Sequence, residues 1–199
     1  MHRTLRGCII ISLFAIPLFA VGGCLAITDV IFGGRPNITT SFGQYVDTQH
    51  GSGKHAGIDF GGARGTPILA AAPGIVYWTK KINKPGCGRG IGILHMEHAR
   101  FTIYCHLSKI LVENEDGVKR GQEIGLMGDA GNQYYVHLHF EVNVDGIGHN
   151  VHTFYGNYFP PIGSGIEDPM KYIVGCYDRG RIYPNDRLVL TYPFVCKDS

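Results

Sequence analysis

Nowhere in this chain do lysines and arginines gather into a block or stripe. The net charge of +2 comes from Arg3 and Arg6, and beyond Cys24 basic and acidic residues balance. Nucleic-acid backbones are met by concentrated positive charge, so a nucleic-acid partner is not expected. No two cysteines stand at CxxC spacing, which argues against a zinc knuckle. No segment keeps a helical apolar period for more than a turn or two, so a helical bundle is not expected either. Repeats and low-complexity tracts are also missing. What is abundant is glycine: 29 of 199 residues, about twice the share expected from a usage of about 7%. That richness points to many tight turns between short strands. With 44% hydrophobic residues, the chain is long enough for one well-packed domain.

The first residues read as a targeting segment. Arg3 and Arg6 precede an apolar run that carries no charge until Asp29, the pattern of a secretory signal. The run also reaches the ~20 residues that a membrane span needs. Its end, Val21-Gly22-Gly23-Cys24, resembles a bacterial lipoprotein box, in which the cysteine becomes lipidated. Residues 1–24 are therefore expected to be a signal or anchor and 25–36 a linker. Positive-inside logic puts the body outside the cytoplasm in each case. Export permits disulfides. Cys87, Cys105, Cys176 and Cys196 lie in the exported body, and their three possible pairings stay open. Cys105 alternates with Phe101, Ile103 and Leu107, which also fits a buried thiol.

Strand-like runs follow the linker at Thr66–Ala70, Gly74–Lys80, Ile91–Glu97, Phe101–Leu107, Glu123–Met127 and Val136–Val144. Turn clusters such as HGSGK, DFGGARG, NKPGCGRG, NEDG and GDAGN separate them. Residues 91–107 read as a hairpin around Ala99-Arg100. The expected fold is mostly β, an antiparallel sheet with little helix and long loops that form a groove.

Within the last run, VHLHFEV (136–142) sets two histidines one residue apart. On a strand they share a face with Glu141 and Asn143, while Val136, Leu138, Phe140 and Val142 face the other way. This is the signature of a half-buried strand. HAGID (55–59) sets His55 and Asp59 four apart, around a Gly57 that lets the backbone approach closely or turn sharply. With one histidine of HLH they make three ordinary zinc ligands, which leaves a fourth position for water. In YCHLS (104–108), alternation puts His106 on the face of Thr102 and Tyr104.

Together these motifs resemble the LytM/lysostaphin-like zinc endopeptidases of bacterial cell walls. The likeness runs from about Ile38 to Ile173 through TTSFG (39–43), HAGID, GTPILAAAPGIV (65–76), YCHLS, VKRGQEIGLMG (118–128), HLHFEV and DPMKYI (168–173). It implies a metallopeptidase domain over 37–174, with Zn2+ held by His55, Asp59 and His139. His106 and His137 would be the catalytic histidines, and peptidoglycan peptides the substrate. The location it implies is the extracytoplasmic envelope, with the N-terminal anchor on a membrane.

Two stretches depart from the family pattern: Asn132–Val136 before HLH, and Phe42–Val46, which lacks the usual arginine. Both bear on bond specificity. His50, His95, His98, His149 and His152 fall outside the motifs. Residues 175–199 extend past the family's usual end, so a Cys176–Cys196 disulfide is expected to tie this tail down, with LVLTYPFV (188–195) as an added strand. The stretch 145–167 is long and rich in aromatics and glycines, and is expected to form either a lip over the groove or a solvent loop. A non-hydrolytic wall-binding or hydrolase-activating module is the alternative function. An iron oxygenase using two histidines and a carboxylate is a third reading.

Overall fold

Period-two alternation between glycine-rich turns becomes an antiparallel sheet of eight strands. The computed structural model describes residues 31–32, 35–48, 51–83, 86–131, 135–144 and 165–196. Across the sheet the order is Gly117–Val118, Gly74–Lys80, Gly90–His95, Arg100–Cys105, His137–Asn143, Ile58–Gly61 and Ile38–Thr40. The short strand Ile166–Glu167 also pairs with His137–Asn143. A three-stranded antiparallel sheet of Lys109–Ile110, Glu123–Leu126 and Pro67–Leu69 shares the core. Among the described residues helix is confined to two 3-10 turns, Met96–His98 and Pro169–Lys171.

The expected hairpin forms, but its turn comes earlier. Arg100 already pairs with His95, and the chain reverses through Met96–His98 to Ala99, which takes a left-handed φ of 47°. Several elements were not anticipated, among them the strand Ile58–Gly61 and the hairpin of Tyr45–Thr48 with Gly51–Lys54.

Cross-strand register explains the core. Tyr104 stands opposite Phe140, Phe140 opposite Ile58, and Leu138 opposite Phe60. Directly paired residues share a face, so these five pack as one apolar layer, joined by Ile68 and Ile124 from the smaller sheet and by Met127 just past its end. All seven residues of His137–Asn143 are buried, which corrects the half-buried expectation. Its polar face points into a covered site instead of into solvent.

The tail also enters the core. Leu188, Leu190 and Phe194 belong to the same apolar cluster. The expected added strand is instead an extended segment, held by single bridges from Phe194 to Ile68 and from Leu190 to Ile173. A disulfide joins Cys176 to Cys196 as expected, and a second joins Cys87 to Cys105, so Cys105 is not a free thiol. The 1–24 anchor and most of the 145–167 lip lie outside the described residues.

Candidate metal centre

The same register that builds the core lays a polar row on the opposite face. Cys105, His139 and Asp59 stand directly opposite one another on three adjacent strands. His137 lies one pleat away on the same face. His55 precedes the Ile58–Gly61 strand and is held by backbone bonds to residues 43 and 44. Gly57 between them is present for close approach: a Cβ there would lie 2.4 Å from the Phe140 carbonyl oxygen.

The three side chains expected to bind metal do converge. His55 Nε2 lies 2.9 Å from His139 Nδ1 and 3.1 Å from Asp59 Oδ1, and His139 Nδ1 lies 2.9 Å from that same oxygen. The outward nitrogens are already committed. His55 Nδ1 faces the Ser41 carbonyl at 3.2 Å, and His139 Nε2 faces Glu141 Oε1 at 2.8 Å. Acceptors at those positions make the outward nitrogens donors, so each ring's lone pair turns inward. Three inward electron-pair donors repel one another unless a positive charge stands among them.

A proton can serve. Burial opposes a charged His139 ring, but its bonds to Asp59 and Glu141 and their charges raise it to about 10. Burial would likewise push the Asp59 carboxyl up, yet the bonds to His139 and His55 hold it well below the usual range. A divalent cation fits better in charge, because Asp59 and Glu141 together supply two negative groups at one buried spot. Two imidazoles and a carboxylate are an ordinary zinc set with one position open.

His137 and His106 flank this cluster. The Nε2 of His137 is 3.8 Å from Asp59 Oδ1, and its Nδ1 faces the Tyr135 carbonyl at 3.0 Å. His106 reaches the site by a route that alternation does not foresee. Continued past Cys105, the strand would turn His106 to the side of Tyr104, into the core. The strand ends at Cys105 and His106 takes a left-handed φ of 65°. This conformation is more open to histidine than to most side chains but still strained. The turn brings its ring centroid to 4.5 Å from that of His137 and 5.8 Å from that of His139. Its Nδ1 donates to the Ala130 carbonyl at 2.8 Å, which leaves Nε2 free. Burial lowers the pKa of His106 well below the ordinary range, and electrostatic repulsion from the neighbouring imidazoles, when they carry a proton, lowers it further. Burial also lowers His137. Both rings are neutral at neutral pH.

Residues 53–151 match the model of peptidase family M23. The catalytic domain of the antimicrobial peptidase lysostaphin from Staphylococcus simulans is 32% identical, with a TM-score of 0.54. That alignment covers 67% of this chain and 89% of that one. The chain belongs to peptidase family M23. The structure of LytU is similar too, at 34% identity and TM-score 0.52, covering 67% of this chain and 81% of that one. Peptidoglycan DD-endopeptidase ShyA of Vibrio cholerae is 42% identical over 92 residues, 46% of this chain and 21% of that protein. Outer membrane antigenic lipoprotein B of Haemophilus influenzae is 41% identical over 95 residues, 47% of this chain and 22% of that protein. The matched part thus spans about a fifth of the length of these two curated relatives.

Three contributors to the candidate site of this M23 chain escaped sequence reasoning. Glu141 was placed on the histidine face, but nothing in the pattern assigned it to His139. Ala130 acts through its carbonyl, which no side-chain motif reports. Tyr135, in the stretch that departs from the family pattern, stacks on His137 with centroids 4.4 Å apart. Its hydroxyl lies 3.4 Å from Asp59 Oδ2, and the residue is 46% exposed. His95 lies apart from the cluster. Its Nδ1 donates to the Pro73 carbonyl at 2.7 Å, and its Nε2 is 2.9 Å from Thr102 Oγ1.

Proposed function

We propose that this protein is a zinc-dependent endopeptidase that hydrolyses the peptide cross-links of bacterial peptidoglycan. The observation that carries the proposal is the convergence of five buried side chains. Three present inward lone pairs, and two neutral histidines stand beside them. ShyA, named a peptidoglycan DD-endopeptidase, and lysostaphin, named a peptidase, support the substrate class.

His55, Asp59 and His139 would hold the ion. When bound, zinc supplies a Lewis acid that lowers the pKa of water toward about 7 and polarises a peptide carbonyl. His106 and His137 are suited to the proton traffic. Each keeps its Nδ1 proton on a main-chain carbonyl, so Nε2 is the basic atom, and burial keeps it unprotonated until water delivers a proton. One ring takes that proton as the new C–O bond forms, then passes it to the leaving nitrogen as the C–N bond breaks. The other can accept a hydrogen bond from the attacking water at its Nε2 and hold that water in line with the carbonyl carbon. Glu141 fixes the tautomer and orientation of His139. Tyr135, stacked on His137 at the solvent edge, lies where substrate would enter.

The envelope is the proposed location, with Cys24 as the anchoring residue. A relative named as an outer membrane lipoprotein supports it. Retention of all five side chains favours hydrolysis over a purely binding role.

The test is zinc stoichiometry beside turnover. His55→Ala, Asp59→Ala and His139→Ala should lose both metal and activity. His106→Ala and His137→Ala should keep about one zinc per chain yet cleave at least roughly a hundredfold more slowly, the scale of one acid–base or oxyanion contribution. Loss of zinc in His137→Ala with retention in His139→Ala would reverse the assignment. Intact peptidoglycan after digestion with zinc-loaded protein would refute the activity.

A further inference from the structure

The Cys87–Cys105 disulfide adjoins the candidate metal centre. Cys105 ends its strand directly opposite His139 and immediately precedes His106. Its partner Cys87 sits in the turn 86–89, and the Cys87 carbonyl accepts the His106 amide at 2.9 Å. The next amide, that of Leu107, donates to Arg89 at 3.0 Å. One covalent bond and two hydrogen bonds therefore bind this turn to the backbone on both sides of His106.

The same turn presses on the loop that orients the His106 ring. A Cβ on Gly88 would lie 2.2 Å from the Ala130 carbonyl carbon, and one on Gly131 would lie 2.1 Å from the Gly86 oxygen. The Gly131 amide donates to Asn83 Oδ1 at 2.6 Å. Ala130 then grips His106 twice. Its carbonyl accepts from Nδ1 at 2.8 Å, and its amide donates to the His106 carbonyl at 3.3 Å. The left-handed backbone of His106 is strained and persists only where its surroundings over-determine it. Both cysteines are buried beside Ile103 and Trp78. Sequence alternation alone would send His106 into the core, so these contacts aim it.

We propose that the Cys87–Cys105 disulfide is a positioning element for His106. It clamps the 86–89 turn against Ala130 and so holds the His106 Nε2 toward the reacting peptide. The proposal rests on the catalytic role given to His106 above. Cys176–Cys196 shares none of these contacts and serves as the control.

The experiment compares Cys87→Ala/Cys105→Ala with Cys176→Ala/Cys196→Ala in zinc-loaded, histidine-15N-labelled protein. Removing the first bridge should leave one zinc per chain and KM nearly unchanged. It should lower kcat at least about tenfold, part of the ~10²–10⁴ that acid–base assistance supplies. The His106 ring signals should move from a single Nδ1–H tautomer toward an exchanging average. Removing the second bridge should leave kcat and these signals in place. Unchanged His106 signals without Cys87–Cys105 would overturn the proposal, whatever the activity. A wild-type protein inert toward peptidoglycan would refute the activity while the ring signals still decide the positioning. If the first double variant does not fold, Gly88→Ala decides. Its methyl would fall 2.2 Å from the Ala130 carbonyl carbon and so push the 86–89 turn off Ala130 with the disulfide intact, and unchanged ring signals together with unchanged kcat overturn the proposal.

Discussion

Replacing Glu141 with glutamine tests the electrostatic design of the metal centre more sharply than removing a ligand does. Glu141 is 2% exposed, and Oε1 lies 2.8 Å from His139 Nε2. Glutamine has the same shape, so packing should hold and an oxygen can still accept from the ring. What disappears is one of two buried negative charges. With zinc in place, Asp59 and Glu141 make the buried group neutral, and the variant leaves it at +1. Partners of this kind are typically worth 10–100-fold in metal affinity, or about 1.4–2.7 kcal/mol. The assay is competition with a chromogenic chelator at fixed pH, run beside turnover at saturating zinc. Affinity should fall 10–100-fold, with saturated turnover within a few fold of wild type. Unchanged affinity would refute the reasoning. Unchanged affinity with lost turnover would place Glu141 in the chemistry instead.

Folded His95 takes up a proton only near 4, because burial disfavours its charged form, against 6.5 for the free side chain. The unfolded chain thus binds more protons between those values, and stability falls as pH drops from 6.5 toward 4. The loss should reach about 3 kcal/mol, and His95→Gln should flatten that part of a urea-midpoint profile; an unchanged slope would rule this out. Gly57→Ala puts a methyl against the Phe140 carbonyl oxygen and should cost about 1–3 kcal/mol. It should also weaken zinc binding, because His55 and Asp59 sit on either side of it; full zinc affinity at wild-type stability would show that the strands can part there.

Much of the fold and site was legible because period-two alternation carries both. In HLHFEV one alternation names the core residues Leu138 and Phe140 and the site residues His137 and His139. Ile58 and Phe60 around Asp59 held the same signal, but the run is four residues long and hemmed by glycines, too short to stand out. His106 shows where alternation fails. Its φ of 65° is imposed by Cys87 and Ala130, 19 and 24 residues away, so its final aim is a tertiary property. The Cys87–Cys105 pairing was illegible for a similar reason, since spacing leaves three pairings open until the sheet brings two sulfurs together. Tyr135 lies in an irregular stretch whose course depends on what it packs against.

The placement of Phe194 sets an order of events in the life of the chain. It is fully buried against Phe60, with ring centroids 5.1 Å apart, on the same apolar layer that backs the metal centre. The strand that carries Asp59 is synthesised long before the residue that seals it from behind. A chain emerging N-terminus first can pair its strands, but it completes the layer beneath the candidate metal centre only when residues 188–194 arrive. Without Phe194 the cluster lacks a side chain whose removal typically costs 3–5 kcal/mol. Completion of that layer therefore waits for residues 188–194, a delay that leaves the candidate site without its full backing while most of the preceding chain is made.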